Sequence, residues 1–242
     1  VPLSVKVFLT ALAIIDDIGA ILVIAFFYTK TVLFTYLVVA GGILAALFVL
    51  GRFRVNNLLF YIIPGIVMWY CFLKSGVHAT IAGVLLAFVI PFHKNDNENI
   101  SYHLQHFLHK PVAFFIVPVF ALVNTAIVIP GNFGGILSSS NSLGIIIGLV
   151  AGKLAGIFAF PFLLVKTGLA RLQDGLTWKN LVGIGLLGGI GFTMSMFISN
   201  LAFTDPLLVS SSKLSILVAS SISAILGLVV FLTNKKVDEN SL

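Results

Sequence analysis

Apolar residues fall in long runs along this chain and polar residues in short breaks, and the runs carry most of the length. Eight runs can be marked, at about 5–28, 31–50, 58–73, 77–92, 111–129, 143–165, 180–202 and 208–233. A helix rises 1.5 Å per residue, so crossing a hydrocarbon layer of about 30 Å takes about 20 apolar residues. The runs are on that scale. They predict an all-α polytopic membrane protein with about eight transmembrane helices, in a single membrane domain over 1–242. No long polar or low-complexity tract is left over, so neither a soluble appendage nor an enzymatic module is expected. The chain opens on Val1 rather than Met and enters an apolar run almost at once, with no signal-peptide layout. It reads as the N-terminally truncated remainder of a longer protein.

Composition supports the same solvent. Hydrophobic residues make up 59% and charged ones 9%, with a mean hydropathy of +1.14, outside the range of soluble domains. The partner implied is a lipid bilayer. A net charge of +6 would suggest nucleic acid in a soluble protein, but here the basic residues sit mostly in loops, where they report topology. With eight spans, one side holds Lys6, Arg52, Arg54, Lys94, Lys110, Lys166, Arg171, Lys179, Lys235 and Lys236, and the other only Lys30, Lys74 and Lys213. That bias makes the first side cytoplasmic and puts both ends of the chain inside. Cys71 stands alone in an apolar run, so no disulfide is expected. Asn99-Ile100-Ser101 matches a glycosylation sequon, but in a loop assigned to the cytoplasm.

With those thirteen assigned to the two sides, one basic residue, Lys153, and two acids, Asp16 and Asp17, remain deep inside runs; Asp96, Glu98, Asp174, Asp205, Asp238 and Glu239 fall in loops or the tail. All three lie near the middle of their spans. An ionised group at a helix centre costs about 2.5–3.5 kcal/mol on insertion scales, so adjacent aspartates oppose insertion unless compensated. Lys153 can compensate one carboxylate. A structural ion pair would need no second aspartate.

Consecutive helical residues point about 100° apart, so one aspartate can lean on Lys153 while its neighbour faces a water-filled cavity. Hard carboxylate oxygens suit sodium or lithium; copper or zinc would want His or Cys. Burial and mutual repulsion disfavour the doubly charged pair, which makes protons and a metal cation rivals for the same oxygens. A site open alternately to the two sides then performs exchange, with the ions as cargo and no cofactor.

Small residues frame these charges. Ala13, Gly19 and Ala20 flank the aspartates, and Gly148, Gly152 and Gly156 form a stripe at four-residue spacing beside Lys153, read equally well as cavity or as packing. The seventh run carries Gly183, Gly185, Gly188, Gly189 and Gly191, followed by Thr193 and Ser195. A continuous helix is weakened by each glycine; a helix broken at mid-membrane uses them, with Gly188, Gly189, Gly191, Thr193 and Ser195 lining an ion cavity. His103, His106 and His109 share one face if their stretch is helical, which suits a pH-sensing entrance, a chance metal site or a solvated loop face. His78 opens the fourth run and reads as an interfacial residue.

At Ala11-Leu12-Ala13-Ile14-Ile15-Asp16-Asp17-Ile18-Gly19-Ala20, Lys74-Ser75-Gly76-Val77-His78-Ala79-Thr80 and Gly188-Gly189-Ile190-Gly191-Phe192-Thr193-Met194-Ser195, the chain closely resembles the NhaA family of sodium/proton antiporters. The resemblance covers essentially the whole chain and corresponds to the family's fifth through twelfth helices. It implies part of an inverted-repeat antiporter fold, of which that family is a known example. It also implies exchange of sodium or lithium for protons, for pH and sodium homeostasis, in the bacterial inner membrane, and a homodimer. By resemblance, Asp16 and Asp17 bind the exchanged ions, Lys153 pairs with the first of them, and His78, His106 and His109 belong to the pH response. The family's second broken helix would precede Val1, so the 242 residues alone are not expected to transport. Gln105 and Tyr102 depart from a glutamate and a lysine in the family's pH-sensing cluster.

Three rivals remain. An intramembrane aspartyl protease needs carboxylates facing each other across a scissile bond, which adjacent residues on one helix cannot supply. A sodium-coupled solute symporter of related fold would show solute-dependent sodium flux. A defunct paralogue fits poorly with three retained midplane charges.

Overall fold

The computed structural model describes residues 3–29, 32–53, 55–92, 100–127, 133–173 and 175–233. Outside them lie Asn99 of the sequon, the loop and tail charges Lys30, Arg54, Lys94, Asp96, Glu98, Asp174, Lys235, Lys236, Asp238 and Glu239, and the outer edges of the expected second and fifth spans. Among the described residues every regular element is a helix. In order these are α1 (Leu3–Phe27), α2 (Phe34–Arg52), α3 (Leu59–Ser75), α4 (Thr80–Val89), α5 (Ile100–Pro111) and α6 (Val117–Thr125). There follow α7 (Phe133–Leu137), α8 (Ser140–Ile147), α9 (Lys153–Lys166), α10 (Trp178–Gly188), α11 (Phe192–Ala202) and α12 (Pro206–Thr233). A π turn at Val112–Ile116 joins α5 to α6, and another at Gly148–Gly152 joins α8 to α9.

Among the described residues five stretches are long and apolar enough to cross a membrane: α1, α2 and α12, and, each taken through its π turn, α5–α6 (Ile100–Thr125) and α8–α9 (Ser140–Lys166). Together α10 and α11 qualify as a sixth, bent by 43° at a short break. The shorter apolar helices are α3, with 17 residues, and α4, with 10. The fourth run was expected to be helical over 77–92, but both its ends are claimed by other geometry. Gly76 turns left-handed at φ 84° and terminates α3, and Ile90 is extended ahead of Pro91, which disfavours helix in the residue before it. The fifth helix starts earlier than expected, at Ile100, because the polar segment through Lys110 is helical too. It widens into its π turn directly after Pro111, whose ring cannot fit inside a regular α turn.

The chain forms two compact units, with boundaries inside α1, after Asp17, and inside α6, after Leu122. In the unit made of 18–122, α2, α3 and α4 pack together around Ala40, Leu47, Tyr61, Met68, Cys71, Phe72, Ala82 and Ile90. Cys71 is a buried free thiol. Every histidine of α5 is exposed; the Tyr102 ring stacks on His106 at 5.5 Å and meets His103 edge-on at 6.2 Å.

The other unit, 1–17 with 123–242, holds the charged residues of interest. Its core joins Val5, Leu176, Leu181 and Ile184, with Leu12, Ile157, Phe158 and Phe231 against them. The long helix α12 packs on α8, α10 and α11 through a face of small buried residues, Ser212, Ser215, Ala219, Ser223 and Gly227. Close approach is the reason for several glycines. A Cβ at Gly185 would lie 2.8 Å from Leu154 Cδ1, and one at Gly183 2.7 Å from the Phe231 ring. At the base of α9 and α10, Phe158 and Phe162 stack at 5.9 Å, and Trp178 meets both edge-on at 5.7 and 5.6 Å. Outward faces carry residues such as Phe26, Phe114 and Phe160, all more than two-thirds exposed. In water such surfaces would aggregate; against acyl chains they are the expected boundary.

Candidate functional site

α1 is one unbroken helix across Asp16 and Asp17, because strongly apolar residues on both sides of the acids favour helix at membrane depth. The two carboxylates leave it about 100° apart. Lys153 is the first residue of α9, directly after the Gly148–Gly152 π turn. Its Nζ donates to Asp16 Oδ2, an ion pair between residues 137 positions apart in sequence. One ammonium thus serves one aspartate, and Asp17 lines the same cavity beside it.

That cavity has a volume of about 440 Å³. α1 contributes Leu9, Leu12 and Ala13 together with the aspartates; α9 contributes Lys153, Gly156 and Ile157. Gly188, Gly191, Thr193 and Met194 come from either side of the α10–α11 break. The charges are less buried than their sequence setting suggests: the Asp16 side chain is 48% exposed and that of Lys153 27%. The reason is geometric. The cavity is open, and the neighbouring face of α1 at Ile14 and Ile15 is exposed as well.

The break itself runs through Gly189, Ile190 and Gly191. Such a break strands the last carbonyls of one helix and the first N–H groups of the next. Gly189 and Ile190 cap two of these by donating to the Leu186 and Leu187 carbonyls at 2.9 and 3.0 Å, and Ser195 N–H donates back to the Gly191 carbonyl at 2.8 Å. Gly189 is held by close approach, not by the cavity. A Cβ there would lie 2.5 Å from both the Leu149 carbonyl oxygen and Ser223 Oγ. Ser195 turns away as well, against Gly191, and lines a second cavity of about 330 Å³ with Gly144, Gly148, Leu149 and Ser199. Of the five residues expected at the broken helix, Gly188, Gly191 and Thr193 therefore reach the aspartates' cavity, while Gly189 and Ser195 do not.

The sequence reading missed Ser223, a buried hydroxyl that has no hydrogen-bond partner among the described residues and faces the break. Its signal was the small-residue spacing along α12. The π turn ahead of Lys153 has no sequence signature of its own. The glycine stripe is not a packing seam within this unit: a Cβ at Gly148 or Gly156 would meet nothing within 4 Å. His78, His106 and His109 belong to the other unit, where His106 stacks on Tyr102.

No group of three or more His, Cys, Asp or Glu converges among the described residues. A cation held at Asp16 and Asp17 must complete its shell from neutral oxygens, such as the Thr193 hydroxyl, backbone carbonyls or water, an all-oxygen donor set that suits a hard cation.

The family model described as Na+/H+ antiporter 1 matches residues 1–231. Similar proteins include the Na(+)/H(+) antiporter NhaA of Flavobacterium psychrophilum, 56% identical over 227 residues that cover 94% of this chain and 59% of the relative. NhaA 1 of Flavobacterium johnsoniae is 54% identical, covering 97% of this chain and 63% of that protein. NhaA of Dechloromonas aromatica is 55% identical, covering 94% and 59% respectively. The chain spans about three fifths of the length of the curated relatives it matches.

Proposed function

The chain belongs to the Na+/H+ antiporter 1 family, and on that basis we propose that it carries the ion-handling part of a secondary transporter exchanging sodium or lithium for protons. The observation that carries this reading is the Lys153 to Asp16 ion pair, set beside Asp17 in a cavity against a broken helix.

In the resting arrangement the Lys153 ammonium occupies Asp16 and leaves Asp17 to the cavity. Sodium entering between the carboxylates competes with two other cations, the proton and that ammonium, for the same oxygens. Binding of sodium expels protons; protonation expels sodium. If the cavity opens to one side at a time, this competition is sufficient for exchange, and no chemical step or cofactor is needed. Thr193 offers a neutral ligand, and Gly188 and Gly191 bring backbone close to the cavity.

The same reading places the protein in the bacterial cytoplasmic membrane, with both chain ends inside from the distribution of Lys and Arg, as a homodimer by resemblance. It gives His78, His106 and His109 a part in the pH response, through imidazoles that titrate near neutrality.

The test is sodium-driven proton movement by the full-length protein in proteoliposomes, with lithium in parallel and potassium as control. Asp17→Asn is expected to reduce the flux at least a hundredfold. Flux that survives in Asp17→Asn would refute the carboxylate mechanism, and sodium flux that appears only with an organic solute would identify a symporter.

A further inference from the structure

Lys153 is delivered to Asp16 by an irregular piece of helix. The five residues Gly148–Gly152 form a π turn, while Ile147 before it and Lys153 after it have ordinary right-handed helical dihedrals. A π turn holds one residue more than the α turn it replaces, so its position fixes the angular register of everything on its far side. One residue of register is about 100° around the helix axis. If the turn relaxes to α, or moves past Lys153, the ammonium is carried about that angle away from Asp16.

Three features make this turn able to change. Glycine occupies both of its ends, and a Cβ at Gly148 would meet nothing within 4 Å, one at Gly152 only the Ile147 carbonyl oxygen at 3.8 Å. No side chain packs on either end glycine, although Leu149 between them reaches the break, where its Cδ2 would lie 2.8 Å from a Cβ on Gly191. The turn separates the two cavities, with Gly148 and Leu149 lining one and Lys153 and Gly156 the other. It also touches the helix break, where the Leu149 carbonyl occupies the space of a Cβ on Gly189.

We propose that this π turn sets and releases Lys153 on Asp16, with Gly148 and Gly152 as positioning residues that act through the lysine. The inference rests on the exchange reading above. In the π form the ammonium blocks Asp16; in the α form Asp16 is free for a cation, and the Leu149 carbonyl shifts against the break.

The variant is Gly148→Ala with Gly152→Ala, since alanine removes the backbone freedom that glycine gives the ends of an irregular turn and is the stronger former of regular α-helix. Sodium-driven proton flux is measured in the full-length protein as a function of sodium concentration. The expected result is a split: half-saturating sodium falls at least threefold, because Asp16 is freed, while the maximal rate falls at least threefold, because Lys153 no longer returns. Gly144→Ala, an open glycine one turn earlier, should move neither quantity. A purely structural role would lower the rate without tightening sodium. The inference is overturned if the double variant matches wild type, or if Gly144→Ala behaves like it. Absence of flux in the wild type would instead count against the exchange reading. Should the double variant not fold, backbone hydrogen exchange of the wild type decides: adding sodium should change exchange at 148–153 at least fivefold relative to 157–166, and no change overturns the inference.

Discussion

Gly189→Ala tests whether the helix break is held by close packing. The added Cβ would sit 2.5 Å from the Leu149 carbonyl oxygen, 2.5 Å from Ser223 Oγ and 3.1 Å from the Leu186 carbonyl oxygen, where real Cβ atoms keep at least 3.0 Å. Two contacts must therefore open by at least half an ångström. The Ser223 hydroxyl has no hydrogen bond among the described residues to lose and can rotate away; the Leu149 carbonyl is backbone of the π turn and can yield only by moving the helix. Overpacking of this kind costs about 1–3 kcal/mol, which corresponds to a fall in Tm of roughly 2–12 °C for a domain of this size. The assay is thermal unfolding of the detergent-solubilised protein, with Gly144→Ala as a control that has no neighbour within 4 Å. Adding Ser223→Ala should recover less than half of the loss, because the backbone clash persists. A Tm within about 1 °C of wild type, or complete recovery by Ser223→Ala, would refute the packing argument at the break.

Two further outcomes follow from contacts away from the carboxylates. Thr177 caps α10 by accepting from Asn180 N–H at 3.2 Å, so Thr177→Ala should lower stability by about 0.5–2 kcal/mol in thermal unfolding, with sodium-driven flux within twofold of wild type. Asn200 donates to Asn124 at 2.9 Å, tying α11 to the last turn of α6; Asn200→Ala should cost about 0.6–2 kcal/mol, read as a lower Tm.

The unbroken runs were the most legible part of the sequence. α1 and α12 begin and end within about two residues of the expected limits, since polar flanks bound a single apolar stretch. The fourth run was legible as apolar but not as short, because Gly76 and Pro91 each took residues from its ends. The midplane charges stood out for the plain reason that ionisable groups are costly there. Glycine was harder to read, because one residue type answers several needs. Of the five in the seventh run, Gly189 and Gly191 are at the break, whereas Gly183 and Gly185 lie in continuous helix and admit Phe231 and Leu154. The stripe beside Lys153 read equally well as cavity or as packing; Gly148 and Gly156 are open, and two of its members bound a π turn. Periodicity cannot announce a π turn, since one extra residue leaves a run just as apolar. Ser223 was overlooked because α12 carries seven serines, and their small-residue spacing does not by itself tell which one faces the break.

The aromatic contact at the base of α9 and α10 gives the lysine-bearing helix an optical address. The sequence contains two tryptophans, Trp69 and Trp178, and the second touches Phe158 and Phe162 on the same helix that begins with Lys153. With Trp69 and any tryptophan outside these 242 residues replaced by phenylalanine, the emission of the Trp178 indole would report any rotation of α9 against α10 in real time, without an attached label. The movement of a charge could then be followed by the colour of a ring one helix face away.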